Sequence, residues 1–218
     1  MENMSELIID SIKKSIEQAE IKTSKLTKEI LDLDGMSSPK IRHFLNNLMS
    51  NYPYEKNYLE IGTWKGSTFI SALYGNSFNT IIGIDNFSEF DLEKKVYNEL
   101  KLNLKNNIGE TVSYNFIASD YKKVDLSKYP KFNLYLYDGG HKEEEHYDSI
   151  KNLYPHLTDE FVLMVDDWLW EQVKNGTMRS IQDLGLEIVY SVELPAYRDG
   201  DVEEWWNGYF VAYLRKTK

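Results

Sequence analysis

Leu59-Glu60-Ile61-Gly62-Thr63-Trp64-Lys65-Gly66-Ser67-Thr68 reads as a strand ending at Ile61, a glycine turn, and a helix beginning near Ser67. In open α/β sheets, ligands bind beyond the carboxyl ends of the strands. Gly62 and Gly66 would let the backbone come close to a ligand, and glycine takes the positive φ that other residues resist. The helix start offers free N–H groups to an anion. The turn is neither G-x-G-x-x-G nor a P-loop, since no Gly-Lys-Ser/Thr occurs there. Glu60 would repel a pyrophosphate but suit a cationic or amino-bearing ligand. The bland alternative is an ordinary tight β–α turn.

Downstream, short β-rich runs alternate with helical stretches. Strands are expected at Tyr58–Ile61, Thr80–Asp85, Ser113–Ala118, Phe132–Asp138, Phe161–Asp166, Leu186–Leu194 and Tyr209–Leu214. Helices are expected at Ser67–Tyr74, Leu92–Asn106, Glu143–Tyr154 and Glu171–Leu184. Alternation of this kind predicts a mostly parallel α/β sheet with crossover helices. The last two runs are joined by the loop Pro195 to Asn207 with no helix between, so they should pair antiparallel. Upstream, Ile8, Ile12, Ile16 and Ala19 recur at helical spacing, and Ser24–Leu33 reads as a second helical segment. Ser38 and Pro39 look like an N-cap and first helical residue. That helix would run to about Ser50 and bury Ile41, Phe44, Leu45 and Leu48. The chain divides into a helical extension over 1–55, placed to act as a lid or homodimer surface, and an α/β domain over 56–218.

The second strand ends at Asp85, 25 residues after Glu60, where an acid is well placed to accept both hydroxyls of a ribose. At this point the sequence resembles the class I S-adenosylmethionine-dependent methyltransferases. The resemblance lies in Glu60-Ile61-Gly62 with Gly66-Ser67-Thr68, in Asp85, and in Ala118-Ser119-Asp120 after the third strand. It implies a Rossmann-like fold with seven strands and a C-terminal antiparallel hairpin. It also implies that Glu60 and Gly62 line the methionine end with Trp64 covering it, that Thr63, Gly66, Ser67, Thr68 and Asp138 join the cofactor site, that Asp85 holds the ribose, and that Ser119 and Asp120 sit near the adenine.

Two further strand runs end abruptly in acids: Tyr137-Asp138-Gly139-Gly140-His141 and Val165-Asp166-Asp167-Trp168. If these strands are neighbours, Asp138, Asp166 and Asp167 converge. Three close carboxylates raise one another's pKa unless a cation neutralises them. Oxygen donors without cysteine favour Mg²⁺, Mn²⁺ or Ca²⁺. The alternative is that the acids cap helices and face water. The separations from Asp138, 28 and 29 residues, are similar to those of the metal-dependent O-methyltransferases, and Asp-Gly-x-His is closest to the macrocin and cephalosporin-hydroxylase-like group. The pattern departs from the catechol type at His141, where that type has lysine. His141 is the candidate base or substrate contact, with ligation or helix capping as its other roles. His146 is read as structural. Trp168, Trp170 and Trp206 and the loop around Arg198 are candidates for substrate contact, with packing beneath the hairpin at least as good a reading for Trp206.

Composition bounds the partners. The chain has 218 residues and a formal charge of -10, which argues against general nucleic-acid binding. Cysteine is absent, which removes disulfides, thiolate–zinc sites and a cysteine nucleophile. The start is polar and unlike a signal peptide, and the longest apolar run is far short of the roughly 20 residues of a membrane helix. The expectation is therefore a cytoplasmic enzyme that uses S-adenosyl-L-methionine and Mg²⁺ to methylate a hydroxyl of a small molecule, a sugar or catechol-like diol. Two other readings compete with it. One is a hydroxylase-like relative with a redox metal involving His141 and His146, and the other is a non-catalytic cofactor-binding module.

Overall fold

The computed structural model describes residues 4–91, 95–108 and 112–217. Its elements, in order, are α1 (Met4–Glu20), α2 (Lys28–Leu31), α3 (Pro39–Asn51), β1 (Asn57–Ile61), α4 (Ser67–Leu73), β2 (Thr80–Asp85), α5 (Val96–Asn107) and β3 (Asn115–Ala118). They continue with β4 (Phe132–Tyr137), α6 (Glu143–Leu153), β5 (Leu157–Val165), α7 (Glu171–Asp183), β6 (Leu186–Leu194) and β7 (Tyr209–Lys216). The seven strands form one sheet in the order β3-β2-β1-β4-β5-β7-β6. Strands β1 to β5 are parallel, and β7 runs antiparallel between β5 and β6. This is the seven-stranded order with a terminal antiparallel hairpin that the resemblance implies. Among the described residues no helix is long and apolar enough to cross a membrane.

Both faces of the central strands are covered, so β1, β4 and β5 are apolar on both sides. Side chains alternate across the sheet. Tyr58, Leu134, Leu136, Val162 and Met164 join the core under α1, α3 and α4. Leu59, Tyr135, Tyr137, Leu163 and Val165 join the opposite core with Ile150, Val173 and Ile181 of α6 and α7. Gly176, in the middle of α7, allows that packing to be close: a Cβ there would stand 2.1 Å from the Glu143 carbonyl oxygen.

Ser38 caps α3, its hydroxyl accepting from Ile41 N at 3.4 Å, with Pro39 in the first turn. The segment expected as a helix over Ser24–Leu33 contains one helical turn, α2. Its neighbouring backbone is engaged by side chains of α3 instead. Asn47 Nδ2 donates to Thr23 O, and Arg42 Nη1 donates to Leu31 O and Leu33 O. The expected helix start at Leu92 lies outside the described residues.

Helix α1 packs against α3 through Ile8, Ile12 and Ala19. Its far end is tied to the β6–β7 loop. Lys40 Nζ, buried, lies 2.6 Å from Glu20 and 2.7 Å from Glu204, and Trp205 Nε1 donates to Glu20 at 2.9 Å. A buried ammonium is tolerated there because two carboxylates surround it.

His146, on α6, is 2% exposed and meets the Tyr137 ring edge-on at 4.9 Å. Burial, with the neighbouring His141 charge, pushes its pKa down to about 4. An unfolded chain would bind this proton near pH 6.5, so the unfolded state takes up more protons between those values and stability falls as pH falls. Between pH 7 and pH 4 the expected loss is about 3 kcal/mol. Urea unfolding across that range should show a steeper pH dependence for the wild type than for His146→Leu. Equal slopes would remove this account.

Candidate active site

Strand β1 ends between β2 and β4, so the turn after it opens onto the carboxyl edge of the sheet. A cavity of about 600 Å³ lies there. Gly62 forms its floor with φ +91°, and its N–H donates to Ile84 O at 2.9 Å. A Cβ on Gly62 would stand 1.7 Å from the Asp138 carbonyl oxygen, so glycine is what lets β1 and β4 end side by side.

Trp64 continues the turn at φ +42°. Its N–H donates to Asp85 Oδ2 at 2.7 Å, and Phe87 N donates to Asp85 Oδ1 at 2.6 Å. Asp85 thus braces two loops and still has acceptor capacity toward the cavity it lines. Burial raises its pKa despite these bonds. Thr63, Ser67, Thr68, Ser119 and Asp120 also line the cavity. Ser119 N donates to Asp85 O at 2.9 Å, and Asp120 caps the next turn by accepting from Lys122 N.

Glu60 and Gly66 stand behind the wall, where a direct cofactor contact was expected. Glu60 has no exposed surface and accepts hydrogen bonds from Tyr58 Oη and from Thr68 Oγ1 at 2.8 Å. Burial raises its pKa to about 7. Its link to the cavity runs through Thr68. Gly66 is the left-handed N-cap of α4, held tight against Leu100, where a Cβ would stand at 2.5 Å.

The acids after β4 and β5 do converge. One ligand atom each from Asp138, His141 and Asp167 lies within 4.8 Å of the other two. His141 Nε2 is 2.9 Å from Asp167 Oδ2, and Asn207 Nδ2 donates to Asp167 Oδ1 at 2.6 Å. Asp167 holds φ +59°, an uncommon conformation for a residue with a side chain. The expected trio had Asp166 where the tight group has His141. Asp166 also lines the cavity, 4% exposed, with a buried Oδ1 that no hydrogen-bond partner satisfies. Burial raises the Asp138 pKa well above the usual range, and Asp167, Glu60 and Asp85 add to it. Asp166 is raised by burial and then by Asp138 and Asp167. The hydrogen bond to Asp167 raises His141, outweighing its burial. Crowded carboxylates, an imidazole and an unsatisfied buried oxygen are a donor set that fits a divalent cation.

His146 lies behind Tyr137 and does not line the cavity. The reading in which His141 and His146 share a redox metal therefore loses its second ligand. The tryptophans divide differently from expectation. Trp205 is the packed one, 1% exposed against Phe44 and Tyr209. Trp206, at φ +56°, faces the cavity. Trp168 stacks on Phe210 at 4.1 Å, while Trp170 lines the cavity, meets His141 edge-on at 4.9 Å and donates from Nε1 to Asp199 at 3.0 Å. Arg198 is exposed and outside the wall.

Sequence reasoning missed Met36, Glu89, Glu145, Asp199 and Asn207 on the wall. Asn207 is the most consequential. Besides holding Asp167, its Oδ1 accepts from Gly200 N at 2.6 Å and its carbonyl accepts from Leu169 N at 2.7 Å. A polar residue followed by glycine at the start of a strand was the one available signal.

Comparison with known proteins follows this geometry. A family model described as a methyltransferase domain matches residues 59–168. None of the curated proteins matches the chain. Among solved structures, the chain is similar to the O-methyltransferase from Bacillus cereus in complex with SAH, at 12% identity and TM-score 0.61, covering 95% of this chain and 100% of that one. It is also similar to the O-methyltransferase TomG from Streptomyces achromogenes, involved in tomaymycin synthesis and solved with SAM, at 14% identity and TM-score 0.61, covering 99% and 100%.

Proposed function

This chain belongs to the methyltransferase-domain family, as a class I S-adenosylmethionine-dependent enzyme, and from that premise we propose that it methylates a hydroxyl of a small molecule with the help of a divalent cation. The acceptor class is a sugar or a catechol-like diol. The observation that carries the reading is the convergence of Asp138, His141 and Asp167 on the wall of the cavity that the glycine turn opens.

The cofactor, when bound, supplies an electrophilic methyl on a sulfonium. Asp85 offers acceptors to ribose hydroxyls, and Ser119 and Asp120 offer polar contacts beside them. Asp138 and Asp167 would hold the cation, with the unsatisfied Oδ1 of Asp166 as a third donor. Such a cation, when bound, supplies positive charge that acidifies and orients an acceptor hydroxyl. Asp167 Oδ2 accepts from His141 Nε2, which selects the tautomer with its lone pair on Nδ1. Nδ1 would then be the atom placed to take the proton of an acceptor hydroxyl. Trp170 and Trp206 limit water around the acceptor. Most of the rate enhancement on this reading comes from alignment of the two reactants and from charge stabilisation.

Calorimetry with S-adenosylmethionine, with and without Mg²⁺, tests this on the wild type and on Asp138→Ala. The wild type should bind the cofactor, and Mg²⁺ should give a separate binding heat that Asp138→Ala loses. No cofactor binding under any condition would end the reading. Cofactor binding without any Mg²⁺ heat would remove the cation from it.

A further inference from the structure

Two buried charges behind the glycine turn lack an ionic partner among the described residues, and each is linked to the cavity through a hydroxyl of α4. Arg42, on α3, is 4% exposed. Its Nη1 donates to Leu31 O and Leu33 O, its Nη2 faces Gly35 O at 3.5 Å, and its Nε donates to Ser37 Oγ at 2.9 Å. Every one of these partners is an uncharged oxygen. Asp34, the acid on that loop, is taken by Lys65 at 2.7 Å. Ser37 Oγ in turn stands 3.4 Å from Ser67 Oγ. The loop is pressed onto α4 there: a Cβ on Gly35 would lie 2.0 Å from Ser67 Oγ. A guanidinium only donates, so Ser37 accepts from it and turns its own hydrogen toward Ser67. The opposite arrangement would leave a buried hydroxyl hydrogen unpaired. Ser67 lines the cavity, and among the described residues its own hydrogen has no partner, so it is left to donate into the cavity. Thr68, the next residue on the wall, has the opposite polarity. Its Oγ1 gives its hydrogen to Glu60 at 2.8 Å and keeps a lone pair for the cavity. Glu60 is fully buried, and its partners are two hydroxyls, those of Tyr58 and Thr68. A buried charge without a counter-charge is costly, and here there is one of each sign.

We propose that these two relays read the zwitterionic amino-acid end of the cofactor: Arg42, through Ser37 and Ser67, holds its carboxylate, and Glu60, through Thr68, holds its ammonium. This rests on the methyltransferase reading and deepens it by making the helical extension a working part of the cofactor site. Arg42 and Ser37 lie upstream of residues 59–168, so the carboxylate relay starts outside the segment matched by the family model. Neither Arg42 nor Glu60 lines the cavity, and both act as positioning residues. Hydrogen bonds in a chain polarise one another, so each wall hydroxyl carries the sign of the charge behind it. Adjacent hydroxyls of opposite polarity match a carboxylate and an ammonium on one carbon. A ligand that lacks either group leaves the buried charge behind that hydroxyl unanswered.

The test is calorimetric binding of three probes: S-adenosylhomocysteine, the same molecule without its carboxyl group, and the same molecule without its amino group. The wild type should bind each truncated probe about tenfold or more weakly than the complete one. Ser37→Ala should remove most of the preference for the carboxylate and leave the preference for the amine intact, and Arg42→Gln should do the same. Thr68→Val should show the reverse pattern. Each reading is a ratio of affinities on one protein, so a variant that loses stability still reports it. A wild type that binds all three probes equally overturns the proposal and leaves the methyltransferase reading standing. Variants that weaken all three probes by one common factor also overturn it, since that is what a merely structural role gives. Binding of none of the three by the wild type ends the methyltransferase reading and the proposal with it.

Discussion

Asp167→Asn is expected to lower kcat by about 10²–10⁴-fold while leaving cofactor affinity nearly unchanged. The substitution keeps the volume, so its effect isolates charge and hydrogen-bond polarity. In the wild type one carboxylate oxygen faces His141 Nε2 and the other accepts the Asn207 amide. An amide at 167 must turn an N–H group toward one of these donors. Either His141 loses the acceptor that fixes its tautomer, or Asn207 is pushed off and the β6–β7 loop loses its hold. The anionic charge for a cation goes as well. Steady-state kinetics beside S-adenosylmethionine calorimetry makes the check. Near wild-type kcat would show that Asp167 is a capping residue and no part of the chemistry.

Gly62→Ala should be the most damaging small substitution for the fold. An added Cβ would lie 1.7 Å from the Asp138 carbonyl oxygen, a backbone atom that cannot rotate away. The left-handed φ adds about 1–2 kcal/mol for a residue with a side chain. Relief requires the ends of β1 and β4 to separate, which breaks the bond from Asp138 N to Ile61 O. A total loss of about 4 kcal/mol or more is expected, the range reserved for steric mechanisms of this kind. Urea unfolding would measure it, and cofactor binding should fall in parallel. A loss below about 1 kcal/mol would mean that the turn relaxes freely.

The strand–helix alternation made the fold legible, and the observed ends of β2 and β6 match the expected ones. This works because both faces of the central strands are apolar and the turns between them are polar. Strand β5 begins at Leu157, four residues earlier than its apolar run, because Glu160 is held from across the sheet by Arg215 and Tyr213. A long-range partner of that kind leaves no local signal. The site shows the same division. Asp85, Asp138, Asp166 and Asp167 were readable because they sit where parallel strands end. Met36, Asp199 and Asn207 were not, because they arrive on loops whose paths depend on tertiary contacts. Arg42 holds the loop bearing Met36 through backbone carbonyls, and Lys40 pins the loop bearing Asn207 through Glu204. The Trp205–Trp206 pair shows the limit most clearly. Two identical neighbours face opposite ways, and the left-handed turn at Trp206 goes with its place on the cavity wall while Trp205 packs in the core.

The Lys40 clasp has a consequence for how such enzymes diversify. Glu20, Lys40, Glu204 and Trp205 lie in three separate stretches of chain, two of them upstream of the segment shared with the wider family. A substrate loop borrowed from a relative would arrive without its matching helix. It would leave a buried ammonium short of one carboxylate, and the graft would fail for reasons unrelated to its new ligand. Exchange of specificity in this lineage should therefore travel as a cassette, with the hairpin loop and the first fifty residues moving together.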